Sequence, residues 1–406
     1  MQNVVVAEPY RFVPPARGTL WPRLLLRWLP RYLRRSHGVV AVRCRGAERL
    51  RASLAAGDGV MLAPNHCRPC DPMALGILAR EAGCFPHVMA SWHLFRQGRL
   101  QAWLLSAAGV FSVWREGLDR EALACAVRIL VEARRPLVIF PEGAITRHND
   151  KLNHLMEGTA FIARAAAKQR AAAAPAGRVV VHPVAIRYVL DGDLEPAVAP
   201  VLEMIERRMA WRPQRGLPLA ERVLKVGGAM LALKEIELLG SPQPGEMGGR
   251  VERLVDALLV PLEREWLKGR REPDVVGRVK LLRAAILPEL VGGGLDAKER
   301  ERRWLQLEDC TLAQALSCYP AGYFTPAPTP ERVLETVERY EEVVTGADAP
   351  PHARIRAVIE VGEALPVAPE RQLGGAGDPL MAGIREQLES LLASSLAEAR
   401  PGARLP

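Results

Sequence analysis

The stretch LAPNHCRPCDPMAL, residues 62–75, places a histidine, two cysteines and an aspartate between positions 66 and 71, directly after an apolar, strand-like run. Two chemistries compete for it. Cys67-x-x-Cys70 beside His66 and Asp71 has the form of half a zinc site. A structural zinc needs four ligands, yet the chain holds no second C-x-x-C and Cys84 alone does not complete a set. The same pair could open a helix as a redox dithiol, and Pro69 and Pro72 are compatible with such a helix start. His66 and Asp71 offer a different reading, as H-x-x-x-x-D. An imidazole that titrates near neutrality can take a proton from an alcohol, and a carboxylate can fix its tautomer and stabilise the imidazolium. A loop histidine and a helix-capping aspartate would give the same letters, so the spacing alone does not choose.

The whole chain narrows the field. Its 406 residues suffice for two domains or one large domain with an appendage, and 49% hydrophobic with 25% charged residues describes an ordinary globular core. A net charge of +9 calls for an anionic partner. Only 5% of residues are aromatic, and no basic stretch is interleaved with stacking residues, so nucleic acid is not expected. Seven cysteines, an odd number, and an opening MQNVVVAEPYRF without a basic-then-apolar pattern suggest a reducing, cytoplasmic setting. No run approaches the ~18 apolar residues of a spanning helix. The nearest, residues 100–114, is split by Gly109 and reads as buried core or as a surface on which acyl chains lie.

The elements that must position these residues follow from periodicity. Residues 20–35, LWPRLLLRWLPRYLRR, repeat Trp21, Leu24, Leu25, Trp28, Leu29 and Tyr32 at helical spacing, with arginines largely between them. Residues 11–35 hold seven arginines and no acid. A basic amphipathic helix of this kind suits an anionic membrane surface, or else packs on the protein's own core. From Val39 to about Val189, strand-like and helix-like segments alternate, as in an α/β layer fold whose functional loops lie beyond strand ends. From about residue 196 helical periodicity dominates, and no internal repeat is evident. The expected division is a membrane-surface arm at 1–36, an α/β domain at 37–195, an α-helical region at 196–397 and a disordered tail at 398–406.

The order of four blocks decides the chemistry. NHCRPCD is followed by GVFSVWR ending in Arg115, by VIFPEGAITR with Glu142, Gly143 and Arg147, and by VVHPVAIRY with Pro183. In this order, over residues 37–190, they resemble the glycerolipid acyltransferase family, which includes the lysophosphatidic acid acyltransferases. The resemblance implies a mixed sheet flanked by helices. It also implies transfer of an acyl group from acyl-CoA or acyl carrier protein to a hydroxyl of a lysophospholipid, with 1-acyl-glycerol-3-phosphate the leading acceptor. No metal or organic cofactor is then needed. His66 would be the general base, Asp71 its partner, Glu142 and Gly143 would shape the acceptor site, and Arg115 and Arg147 would bind phosphate. Cys67 and Cys70 become bystanders. The enzyme would act peripherally on the cytoplasmic face of a membrane. Two departures stand out: the third block inserts Ala144 and Ile145 before its arginine is reached, and Glu157 precedes Gly158 where a basic pair is usual. Another hydroxylated lipid acceptor is therefore the alternative, and a non-catalytic lipid-binding scaffold the reading from outside enzymology.

Overall fold

Strands and helices alternate from residue 20 to residue 190 of the computed structural model, which describes residues 8–173, 175–325, 327–370 and 378–398. Helix α1 (Leu20–His37) leads to β1 (Val39–Arg45), α2 (Ala47–Ala55), β2 (Gly59–Pro64) and α3 (Asp71–Ala82). Then come β3 (His87–Ser91), α4 (Arg99–Ala108), β4 (Val110–Val113), α5 (Arg120–Glu132), β5 (Leu137–Val138), α6 (Gly158–Ala171) and β6 (Val179–Leu190). A helical stretch follows: α7 (Leu194–Arg208), α8 (Leu219–Leu239), α9 (Met247–Leu267), α10 (Val275–Gly292), α11 (Ala297–Leu316) and α12 (Pro330–Thr345). The chain then returns to strand, with β7 (Ile355–Val361) and β8 (Leu365–Pro366), before a last helix, α13 (Pro379–Glu398).

The sheet has the order β1-β7-β6-β2-β5-β3-β4, with β8 also on β6. Strands β6, β2, β5, β3 and β4 are mutually parallel, whereas β7 runs antiparallel to β6 and parallel to β1. This is the mixed α/β sheet expected from the sequence. Strand β6, VVVHPVAIRYVL, is buried from Val179 to Val189, which matches the continuous β-branched run of a strand covered on both faces. Pro183 is tolerated inside it because its missing N–H would face the point where β7 ends. There its carbonyl accepts from Gly362 N at 2.7 Å.

Two compact units result: Tyr10–Asp191 together with the stretch from Arg354, and Gly192–Ala353. The division expected at 196–397 is thereby corrected. Buried β6 needs a pairing partner on its second edge, and β7, which follows the helical stretch in sequence, supplies it, after which α13 packs on β6. The expected tail, 398–406, lies outside the described residues apart from Glu398.

The arm is also corrected in part. Residues 10–16 run beside β4 and α4, where Val13 and Ser112 exchange backbone and side-chain bonds and Ala16 N donates to Ser106 O at 2.9 Å. Helix α1 then packs on α3 and β1. Pro22 and Leu33 are buried, and Leu26 and Leu29 close over Gly76, so tightly that a Cβ there would strike Leu29. Leu26 and Leu29 thus turn to the protein. Leu20, Trp21, Leu24, Trp28 and Tyr32 remain exposed, and Trp21 meets Trp103 of α4 edge-on at 4.9 Å, beside exposed Leu100 and Leu104. Residues 100–114 split at Gly109, as expected, into α4 and β4. No helix among the described residues is long and apolar enough to cross a membrane.

Within Gly192–Ala353 the sequence reading missed a repeat. Arg222 on α8 donates to Glu206 on α7 (3.0 and 2.8 Å), Arg250 on α9 to Glu235 on α8 (2.9 and 2.7 Å), and Arg278 on α10 to Glu263 on α9 (2.5 and 3.0 Å). The partners lie 16, 15 and 15 residues apart, so each helix is clasped to the next by the same buried fork. Glu206 and Glu235 also each accept the amide of the glutamine eight residues on, Gln214 and Gln243, which fixes the turn. Removing one partner of such a pair leaves an uncompensated buried charge. Arg222→Met should therefore cost about 3–5 kcal/mol in urea unfolding. Arg215→Met, which breaks an exposed pair with Glu203, should leave the urea midpoint close to that of wild type. Equal effects would show that burial does not govern these pairs.

Candidate active site

Parallel strands β2, β5 and β4 end at the same edge of the sheet, so the loops carrying His66, Glu142 and Arg115 emerge together. Beyond Pro64, β2 no longer pairs with β6, and the next residue, Asn65, takes over. Its side-chain amide donates to Ile186 O at 3.0 Å and accepts from Ile186 N at 2.7 Å. Two residues further along β6, Asn149 does the same, accepting from Tyr188 N and donating to Tyr188 O. Two amides thus stand in for the missing strand, satisfying buried backbone groups that β2 no longer reaches.

His66 follows directly. Its Nδ1 lies 2.8 Å from Asp71 Oδ2, and its ring stacks on Phe140 with centroids 4.0 Å apart. Asp71 is fully buried at the start of α3, with Pro72 in the first turn. A buried carboxylate requires donors, and Asp71 has several. Arg68 N donates at 2.9 Å to Oδ2, Tyr188 OH at 2.7 Å to Oδ1, and the Cys67 thiol approaches Oδ1 at 3.8 Å. With its lone pairs so occupied and the helix N-terminus behind it, Asp71 favours an Nδ1–H tautomer of His66. The ring's Nε2 is then the basic atom. The imidazole is 15% exposed and Asp71 is 0% exposed, so a substrate hydroxyl can meet the ring but not the carboxylate.

Glu142 supports His66 from the other side. Its Oε1 accepts the His66 amide at 2.8 Å and its Oε2 the Asn153 amide at 2.9 Å, while Thr146 N and Oγ1 donate to the His66 carbonyl at 2.8 and 3.0 Å. Both Glu142 oxygens therefore hold backbone, and the carboxylate is 2% exposed. Burial pushes its pKa up to about 7 against the pull of those two amides; the Asp71 charge adds to the rise and Arg385 of α13 opposes it. Gly143 adopts a left-handed φ of 67°, and a Cβ there would collide with the Met156 sulfur.

The structure thus brings His66, Asp71, Glu142 and Gly143 into one cluster. Arg147 is partly buried in the same loop at φ 59°, next to the Thr146 that holds His66. Arg115 is half-buried in the turn after β4; burial draws its pKa down, Glu116 opposes this, and a guanidinium stays charged regardless. The described hydrogen bonds do not link either arginine to the His66–Asp71 pair. Cys67 and Cys70 are buried thiols, and burial pushes Cys70 up to about 11, far from a reactive thiolate. Among the described residues no group of three or more His, Cys, Asp or Glu is arranged to hold a metal. Sequence reasoning missed Asn65, Asn149, Asn153, Tyr188 and Arg385. Asn65 and Tyr188 stood inside the blocks already singled out, but nothing local marks their partners.

Comparison with known families agrees with this geometry. Residues 41–187 match the Acyltransferase family model. No curated protein and no solved structure matches the chain.

Glu142 ionises near 4.5 when unconstrained and near 7 in the fold. The folded state keeps the proton between those values. The stabilisation linked to it is complete below about pH 4.5 and is lost as pH rises through 7. Thermal unfolding measured from pH 4.5 to 8 should show wild type losing stability relative to Glu142→Gln across that window. Parallel curves would mean that Glu142 is not perturbed.

Proposed function

Because residues 41–187 form an acyltransferase domain, we propose that the chain moves a fatty acyl group from an acyl thioester, acyl-CoA or acyl carrier protein, to a hydroxyl of a lysophospholipid. The observation that carries the reading is the solvent-reachable His66 ring held by a fully buried Asp71. As the acceptor oxygen attacks the thioester carbonyl, Nε2 takes the hydroxyl proton and Asp71 stabilises the imidazolium. Collapse of the tetrahedral adduct breaks the C–S bond, and the imidazolium returns its proton to the departing thiolate. One ester and one thiol result, with no covalent enzyme intermediate. Arg115 and Arg147 are the cations proposed for an acceptor phosphate. The inserted Ala144–Ile145 turn and Glu157 at the start of α6 favour, as the second reading, a hydroxylated lipid acceptor with another headgroup.

Thiol release from acyl-CoA with lysophosphatidic acid tests the reading. His66→Ala should lower turnover roughly 10²–10⁴-fold with the fold intact. Tyr188→Phe, which removes one donor from Asp71, should lower it roughly 10–100-fold. Cys67→Ser and Cys70→Ser should each keep most activity. Cysteine variants as inactive as His66→Ala, or release indifferent to the acceptor, would overturn the assignment.

Lipid substrates place the work at a bilayer, and the exposed Trp21, Leu24, Trp28, Leu100 and Trp103, among the arginines of α1, are the proposed contact. Trp21→Ser/Trp28→Ser should reduce sedimentation with anionic vesicles, and raised salt should weaken wild-type binding further, since each basic residue near such a surface contributes about 1 kcal/mol. Unchanged sedimentation of the double variant would remove this face from consideration.

A further inference from the structure

The matched domain ends at residue 187, yet its site is tied to a helix almost two hundred residues later. Helix α13 is fixed at three points. Asp378, at its start, forms a two-pronged pair with Arg164 of α6 and accepts Leu380 N at 2.9 Å. In its middle, Arg385 Nη2 donates to Asn153 O at 2.7 Å, while Nη1 donates to Glu389 at 3.1 Å. Near its end, Leu392 O accepts from Nη1 of the buried Arg187 at 3.1 Å, and the other arm of that guanidinium reaches Asp150 at 3.5 Å.

The middle anchor leads directly to the base. Arg385 binds the carbonyl of the peptide residue whose amide Glu142 accepts, and Glu142 in turn accepts the amide of His66. We propose that Arg385 is a positioning residue of the active site: from α13 it locks Asn153 and sets its charge against Glu142, so that the Glu142 carboxylate holds the His66 backbone in place. The proposal rests on the acyl-transfer reading and deepens it. It also means that the segment returning after residue 354 is part of the catalytic unit.

Chemistry supports the assignment beyond geometry. Glu142 is buried, and the Asp71 carboxylate on α3 disfavours its ionised form, as burial does. Two backbone amides and the Arg385 cation act the other way. An ionised Glu142 accepts both amides well. A protonated one, with a hydroxyl on one oxygen, accepts them less well. Arg385 is thereby placed to decide, near neutral pH, how firmly His66 is held.

The experiment uses the full chain as wild type, Arg385→Met and Arg385→Lys. Turnover in the thiol-release assay is followed from pH 5.5 to 9, and thermal unfolding over the same range. Arg385→Met should lower kcat at pH 7 roughly tenfold. Its acid limb should move to higher pH, with the KM for the acyl donor little changed. Arg385→Lys keeps a cation and should leave the limb nearer its wild-type place while losing part of the rate. In unfolding, the Glu142-dependent loss of stability should extend to higher pH in Arg385→Met, a readout that needs no activity. If wild type shows no thiol release but the unfolding shift is present, the reading of the reaction fails and the Arg385–Glu142 linkage stands. An Arg385→Met that merely melts earlier at every pH, with an unmoved limb and an unmoved unfolding window, would overturn the proposal.

Discussion

Strand β6 is buried along nearly its whole length, and every one of its backbone groups must be paired. On one edge β7 and β8 do this. On the other, β2 pairs from Val179 only to Val184, which leaves Ile186 and Tyr188 facing inward with polar backbone and no strand beside them. An unpaired buried amide or carbonyl costs on the order of 1–3 kcal/mol. Asn65 and Asn149 remove that cost by mimicking a peptide unit with their side chains. The solution has a positional consequence. Asn65 immediately precedes His66, so pairing β6 also fixes where the His66 loop leaves the sheet, and the same strand delivers the Tyr188 hydroxyl to Asp71. Backbone satisfaction and the geometry of the His66–Asp71 pair are one constraint here.

That coupling explains which parts of the site were legible in the sequence. His66 and Asp71 are five residues apart on one turn-and-helix start, a local arrangement that spacing can express. Glu142 and Gly143 were legible only through the order of blocks; the left-handed backbone of Gly143 emerges from the structure. Tyr188 and Arg385 act across 117 and 232 residues. No local pattern records such a partnership, because tyrosines in strands and arginines on helices are ordinary. The role of Glu142 also changes once its partners are seen: the resemblance points to acceptor-site shaping, while both oxygens hold main chain.

The fold was legible where periodicity is long and misleading where it is short. Strand β7, IRAVIEV, is seven residues embedded after six helices, and its alternation is too brief to stand out against that background. It nevertheless decides the domain boundary. The clasps of α7 to α10 were missed for another reason. Apolar identities drift from helix to helix, and what recurs is a glutamate and an arginine about fifteen residues apart across a loop. Charged pairs at that distance look like solvated surface until burial is known.

Burial also accounts for the placement of net charge. Several acids are committed to internal forks, Glu206, Glu235 and Glu263 among them, each holding an arginine of the next helix. An exchange of a buried pair for apolar residues is often neutral or favourable in energy, so these forks are best understood as fixing which helix meets which and in what register. The arginines of α1 have no such acids: Arg23, Arg27, Arg31, Arg34 and Arg35 are exposed on a helix that contains no carboxylate. The chain's excess of nine positive charges is therefore not spread evenly. It gathers in part along α1, the helix that also exposes Trp21 and Trp28 and meets Trp103 of α4.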